Sequence, residues 1–245
     1  MILADTVRSK AYILELLQSG FSPNFCVLLT NIGSNLYPGQ ASLNQSSPNL
    51  DEISPADRSL IGNWINRDLT CELSEILDEH QITYVQCSTN TVNDEQVFRV
   101  IKKRDDKLYI FSGYGGDIIR KKVLSLGVNF LHVHGGYLPT YKGSTTNYYS
   151  LLQRGTLGAS AIMLSAHLDS GPIIFKREFN CPDNVALLDY FIDPGIRAKV
   201  LVEALRKINQ LPVDNPWEDQ NIEEGETYFV IHPILKHLAI EKRFD

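Results

Sequence analysis

Asn129-Phe-Leu-His-Val-His-Gly-Gly-Tyr-Leu-Pro139 is the stretch on which the reading of this chain turns. Its first six residues have the length of a strand, which puts His132 and His134 on one face near the carboxyl end. Gly135, Gly136 and Pro139 then force the backbone onto an unusual path. An open α/β sheet binds its ligand just beyond the carboxyl ends of its strands, so these residues are the first to examine. From spacing alone the two imidazoles have three readings. They could be a metal pair awaiting a third ligand such as His167 or Asp169. They could be a base beside a hydrogen-bond donor. They could equally be two satisfied, half-buried side chains.

Outward from that strand, short apolar runs alternate with amphipathic ones. Met1–Ala4, Cys26–Thr30, Ile82–Cys87, Leu108–Phe111 and Ala159–Ser165 read as strands, and an apolar strand follows Pro172. Ala11–Gly20, Cys71–His80, Asp94–Lys103 and the segment through Lys122 to Leu126 read as helices. The alternation predicts an α/β fold, a mostly parallel twisted sheet with helices on both faces. The polar run Asn31–Ala56 reads as a loop or mobile flap. Gly113-Tyr114-Gly115-Gly116 follows a strand and permits either close approach to a flat ligand or only a sharp strand-to-helix turn. His167-Leu168-Asp169-Ser170-Gly171-Pro172 holds a carboxylate in a loop stiffened by Gly-Pro, which by itself describes an ordinary turn.

The chain has 245 residues, 43% hydrophobic and 21% charged, a composition suited to a water-soluble fold. Its 23 basic and 29 acidic residues give a net charge of −6, which argues against a surface built to coat a phosphate backbone. Cys26, Cys71, Cys87 and Cys181 form no C-x-x-C pair and read as buried or unpaired thiols. No apolar run approaches the ~20 residues of a membrane span, and the amino terminus has no signal-peptide pattern. A cytoplasmic location is the expectation.

Phe130-Leu-His-Val-His-Gly-Gly-Tyr-Leu-Pro-Thr-Tyr-Lys-Gly143, followed by Leu168-Asp-Ser-Gly-Pro-Ile-Ile174, resembles the folate-dependent formyltransferases. Their pattern runs roughly N-x-H-x-S-x-L-P-x-Y-x-G with a later D-x-G-x-I. The resemblance extends from Met1 to about Leu205, because Ser112–Ile119 is similar to the family segment that cradles the pteridine. It implies 10-formyltetrahydrofolate as formyl donor, bound through Gly113, Tyr114, Gly115, Gly116, Asp117, Ile118, Leu168 and Gly171, with no metal. The family's reactive trio is Asn, His and Asp. His134 and Asp169 take the second and third places; His132 stands where the family has Asn. An imidazole N–H could still donate to an oxyanion, so the resemblance implies His132, His134 and Asp169 as the catalytic set. His134 would then be the base and Asp169 its orienting carboxylate. Asn129 and Asn147 are nearby alternatives for the missing amide, and loss of activity or formyl hydrolysis are the alternatives to transfer.

Within the family the acceptor is expected to be a small molecule. Residues 1–211 correspond to the catalytic domain, and 212–245 form a short extension that differs from the sizeable nucleic-acid-binding domain of tRNA formyltransferases. Gly225–Pro233 resembles a tail strand of sugar formyltransferases, and Tyr141–Ser150 is closer to enzymes that formylate 4-amino-4,6-dideoxy sugars, including the pseudaminic-acid-pathway type. The resemblance thus implies a nucleotide-sugar amine as partner, with no nucleic acid, no membrane and a homodimer as one arrangement. Tyr141, Tyr148 and Tyr149 could stack on sugar or base, or pack a helix against the sheet. Arg8 and Lys142 are candidate diphosphate partners.

Overall fold

The computed structural model describes residues 1–30, 50–210, 217, 219–221 and 223–242. Five strands, β1 (Ile2–Ala4), β2 (Cys26–Leu29), β3 (Tyr84–Cys87), β4 (Leu108–Ser112) and β5 (Asn129–His134), run parallel. After the short β6 (Tyr141–Gly143) come β7 (Thr156–Met163), antiparallel to β5, and β8 (Ile173–Asn180), antiparallel to β7. The seven-stranded sheet therefore has the order β3-β2-β1-β4-β5-β7-β8, with β7 alone reversed. The run expected as Ala159–Ser165 begins three residues earlier, and its antiparallel direction makes the sheet mixed rather than wholly parallel.

Helices cover both faces. On one side lie α1 (Val7–Gln18) and the long α7 (Asp193–Gln210), packed on Leu3, Leu28, Leu131 and Val133. On the other, α4 (Glu95–Lys102) and the single turn α5 (Lys121–Leu124) send Val97, Ile101 and Val123 onto Ile2, Val27, Leu29, Phe111 and Phe130. Alternate residues of one strand thus feed opposite cores, which is why these strands are apolar throughout instead of alternating. His132 and His134 share the parity of Phe130.

α1 starts at Val7, earlier than the apolar periodicity indicates. Thr6 caps it by accepting from the Ser9 backbone N–H at 3.2 Å. Ser9 and Lys10 look like surface residues but are buried, Ser9 against Ser112 and Lys10 between Asp5 and the Leu69 carbonyl. Residues 31–49 of the expected loop lie outside the described residues. Residues 50–56 are not a loop as expected: Leu50–Glu52 is a helical turn, and Ser54 caps α2 (Pro55–Ile61), whose Pro55 suits a first-turn position. The chain is completed by α3 (Leu73–Glu79), α6 (Thr146–Arg154), β9 (Glu226–Tyr228) and α8 (Pro233–Glu241). β9 pairs in parallel with β6, joining Tyr141 to Glu226 and Gly143 to Tyr228.

Candidate active site

A cavity of about 530 Å³ lies beyond the carboxyl ends of β1, β4 and β5, within the size range of small-molecule sites. Arg8 follows β1, Gly113–Ile119 follows β4, and His132, His134 and Gly135 come from the end of β5. Residues 164–169 and 227–230 close its remaining sides.

Both histidines are anchored by backbone carbonyls. His132 Nδ1 lies 3.1 Å from the Phe111 carbonyl oxygen, and His134 Nε2 lies 2.8 Å from that of Tyr141. A carbonyl only accepts, so in each ring the bonded nitrogen carries the proton. Burial pushes the His132 pKa down to about 3, and the Arg8 and Arg197 guanidiniums add to the fall. Burial also lowers that of His134, while Asp169 works in the opposite direction. His134 Nδ1 faces Asp169 Oδ2 at 3.5 Å, with both side chains buried.

Asp169 adopts φ 49°, a left-handed conformation that Asp tolerates better than most residues. Its Oδ2 accepts from the Gly143 N–H at 2.9 Å, and its carbonyl accepts from Gln220 Nε2 at 3.0 Å. Asp169 is therefore held through its carboxylate from β6 and through its backbone from the tail.

A second group comes from α7. Arg197 pairs with Asp193 at 2.9 Å, and its guanidinium fills the space where a side chain at Gly135 would project. Asn147, from the first turn of α6, donates to Asp193 Oδ1 at 3.0 Å and accepts from the Gly158 N–H at 2.8 Å. Arg8 donates to Ser112 Oγ at 3.1 Å and to the Gly113 carbonyl. Among the described residues no carboxylate forms an ion pair with Arg8.

No protein-family model matches the sequence. The methionyl-tRNA formyltransferase of Finegoldia magna is 26% identical over 161 residues, 63% of this chain and 50% of that protein. The chain thus spans about half the length of that relative. A sugar N-formyltransferase from Shewanella sp. FDAARGOS_354 superposes over 98% of this chain and 85% of its own with a TM-score of 0.55 at 14% identity. An N-formyltransferase from Helicobacter canadensis, solved with folinic acid and dTDP-3-aminofucose, covers 93% of this chain and 69% of its own at 14% identity, TM-score 0.52. The chain has the formyltransferase fold. The relative by sequence and the two superposed structures named above are all formyltransferases.

On this formyltransferase scaffold the residues expected from sequence fall into two groups. Arg8, Gly113, Tyr114, Gly115, Gly116, Asp117, Ile118, His132, His134, Tyr148, Leu168 and Asp169 all line the cavity. Asp117 also holds the neighbouring loop, accepting from Thr91 Oγ1 at 2.6 Å and the Val92 N–H at 2.7 Å, while burial raises its pKa. The others lie elsewhere. Lys142, expected to meet a diphosphate, is buried with its Nζ 2.6 Å from the Glu224 carbonyl, pinning the tail. Tyr141 is equally buried, donates to Gln153 Oε1 at 2.9 Å and stacks on Tyr228, which also contacts Tyr149. Gly171 stands against the Met163 carbonyl, where any side chain would overlap it. Of the two asparagines, Asn129 is exposed at the far end of β5, whereas Asn147 lines the cavity with its Oδ1 engaged by the Gly158 N–H and one Nδ2 hydrogen donated to Asp193. Arg197 and Asp193 were not anticipated; an i,i+4 Asp–Arg pair is the usual mark of a helix surface, and only topology turns it inward. Among the described residues no cluster of three or more His, Cys, Asp or Glu side chains is arranged to hold a metal, and no helix is long and apolar enough to cross a membrane. The four cysteines are free thiols, Cys26 and Cys87 buried, Cys71 and Cys181 half-buried.

Proposed function

We propose that the protein is an N-formyltransferase that moves a formyl group from 10-formyltetrahydrofolate to the amine of a nucleotide-linked amino sugar, of the 4-amino-4,6-dideoxyhexose class. The observation that carries this reading is the buried His134–Asp169 pair opening onto a cavity that also holds the Gly113–Gly116 turn. The fit to a flat folate ring is local. Side chains at Gly115 and Gly116 would meet nothing within 4 Å, and Ile118 and Leu168 present 61% and 48% of their surface at the cavity mouth. Bare backbone and apolar rims suit a heteroaromatic plane. At the inner end, Arg8 and Arg197 offer cationic N–H groups to the diphosphate of the acceptor or to oxygen charge developing during acyl transfer. Such a transfer needs a neutral amine, a group to take its proton and a route for that proton to the departing folate nitrogen.

A second reading, formyl transfer to methionyl-tRNA, is favoured by the sequence relatives alone. One assay separates the two. The purified protein is incubated with 10-formyltetrahydrofolate and either dTDP- and UDP-linked 4-amino-4,6-dideoxyhexoses or charged methionyl-tRNA, and released tetrahydrofolate is measured. Release that depends on the sugar amine supports the proposal. Release that depends on the tRNA, or on neither acceptor, overturns it.

A further inference from the structure

The pattern of protons on the two imidazoles departs from the roles their sequence positions imply. His134 donates Nε2–H to the Tyr141 carbonyl, and its Nδ1 faces Asp169 Oδ2 at 3.5 Å, so its nearest partner on that side is a buried carboxylate. Gly136 makes the first of these contacts accessible. A side-chain carbon at position 136 would sit 2.7 Å from His134 Nε2 and 2.8 Å from the Tyr141 oxygen, crowding donor and acceptor from the side. His132 differs. Its Nδ1–H is spent on the Phe111 carbonyl, which leaves Nε2 as the nitrogen with an unengaged lone pair. The groups arrayed around it are Arg8 from α1, Arg197 and Asp193 from α7, His134 on its own strand and Asp169 from the loop before β8.

We propose that His132, through an unprotonated Nε2, accepts the proton of the attacking amine, and that His134 is a positioning residue that fixes Asp169 and β6. The inference rests on the formyl-transfer reading. The amine nitrogen bonds to the formyl carbon and its proton passes to His132 Nε2. The bond from that carbon to N10 of the folate breaks, and the same proton is delivered to N10, so the imidazole ends neutral. Without ligand, burial holds His132 neutral and the two guanidiniums add to that effect. An anionic substrate set against Arg8 and Arg197 offsets them, so the proton affinity of Nε2 rises only when the site is filled.

The test has two arms. A long-range ¹⁵N–¹H correlation spectrum of the ligand-free protein at pH 7 reads which ring nitrogens carry protons. Expected is His132 with Nδ1 protonated and Nε2 bare; a proton on His132 Nε2 overturns the proposal, whether or not formyl transfer is the reaction. In the second arm, His132→Asn retains an N–H donor and loses the imidazole base. Its kcat with the accepted sugar amine should fall ~100-fold or more. KM for 10-formyltetrahydrofolate should stay within about twofold. A variant with the parent's kcat shows that a donor at this position suffices and overturns the proposal. Should the parent transfer no formyl group, the functional reading fails while the spectrum still decides the proton assignment.

Discussion

Gly136→Ala tests the packing on which the histidine arrangement depends. Position 136 has no positive φ, so alanine faces no backbone penalty there. Its methyl carbon, however, would land 2.6 Å from Thr146 Oγ1, 2.7 Å from His134 Nε2 and 2.8 Å from the Tyr141 oxygen. All three are inside van der Waals contact, and His134, Thr146 and Tyr141 are buried, so relief requires that one of them move. Overpacking of this kind costs ~1–3 kcal/mol. Separating His134 from its carbonyl leaves a buried acceptor unsatisfied, at ~1–3 kcal/mol. The reduced freedom of the unfolded chain returns ~0.4–1 kcal/mol. The net is a loss of about 3 kcal/mol, which for a chain of this size lowers Tm by roughly 6–12 °C. Urea unfolding followed by tryptophan fluorescence measures it. Gly115→Ala provides the control, because its methyl group would meet nothing within 4 Å. That variant should be unchanged or more stable by ~0.4–1 kcal/mol. A Gly136→Ala protein within ~0.5 kcal/mol of the parent would refute the reasoning, since that is the range of substitutions touching nothing special.

Other expectations follow from the same geometry. Gly143→Ala combines φ +96° with overlap on the Tyr228 carbonyl, so it should release β9 from β6; faster amide exchange at residues 226–230 is the signature, and parent-like protection contradicts it. Asp169→Asn keeps an oxygen for the Gly143 N–H and tolerates the left-handed backbone, so the protein should fold while turnover drops ~100-fold, as steady-state kinetics would show. Stability should also depend on pH through the histidines. Both have folded pKa values below the ordinary 6.5, so the unfolded chain binds more protons and stability falls as pH drops from about 6.5 toward about 3. The raised carboxyls Asp57 and Asp117 act in the opposite sense, so the comparison that isolates the effect is the urea midpoint of the parent against His132→Asn at pH 7 and 5.5. A parent whose loss on acidification is no steeper than the variant's would contradict the assignment.

Sequence legibility divides along local and non-local lines. β5 was readable to the residue, Asn129–His134, because an apolar strand ending in Gly-Gly is a local signal. The Gly113–Gly116 turn was readable from its glycines, whereas Asp169, Asp117 and Ile118 were singled out by the family resemblance and by themselves read as ordinary turn residues. Failures came where the deciding partner is distant in sequence. Lys142 looks like a cation for phosphate until Glu224, 82 residues on, supplies its carbonyl. Ser9 and Lys10 look exposed until Ser112 and Leu69 bury them. The direction of β7 depends on a connection through α6 that no strand-length run encodes. Arg197 reaches the cavity only because α7 packs across β5, β7 and α1.

The β6–β9 ribbon joins three residues to three, across 85 positions of sequence, and carries Thr227–Val230 into the cavity lining. Phe229 and Val230 there leave 82% and 73% of their surface to solvent. Residues 227–230 therefore reach the cavity through a pairing separate from the seven-stranded sheet. Opening of those three residue pairs would remove the wall and lower the affinity of any ligand touching it by the closed fraction, with the seven-stranded sheet intact.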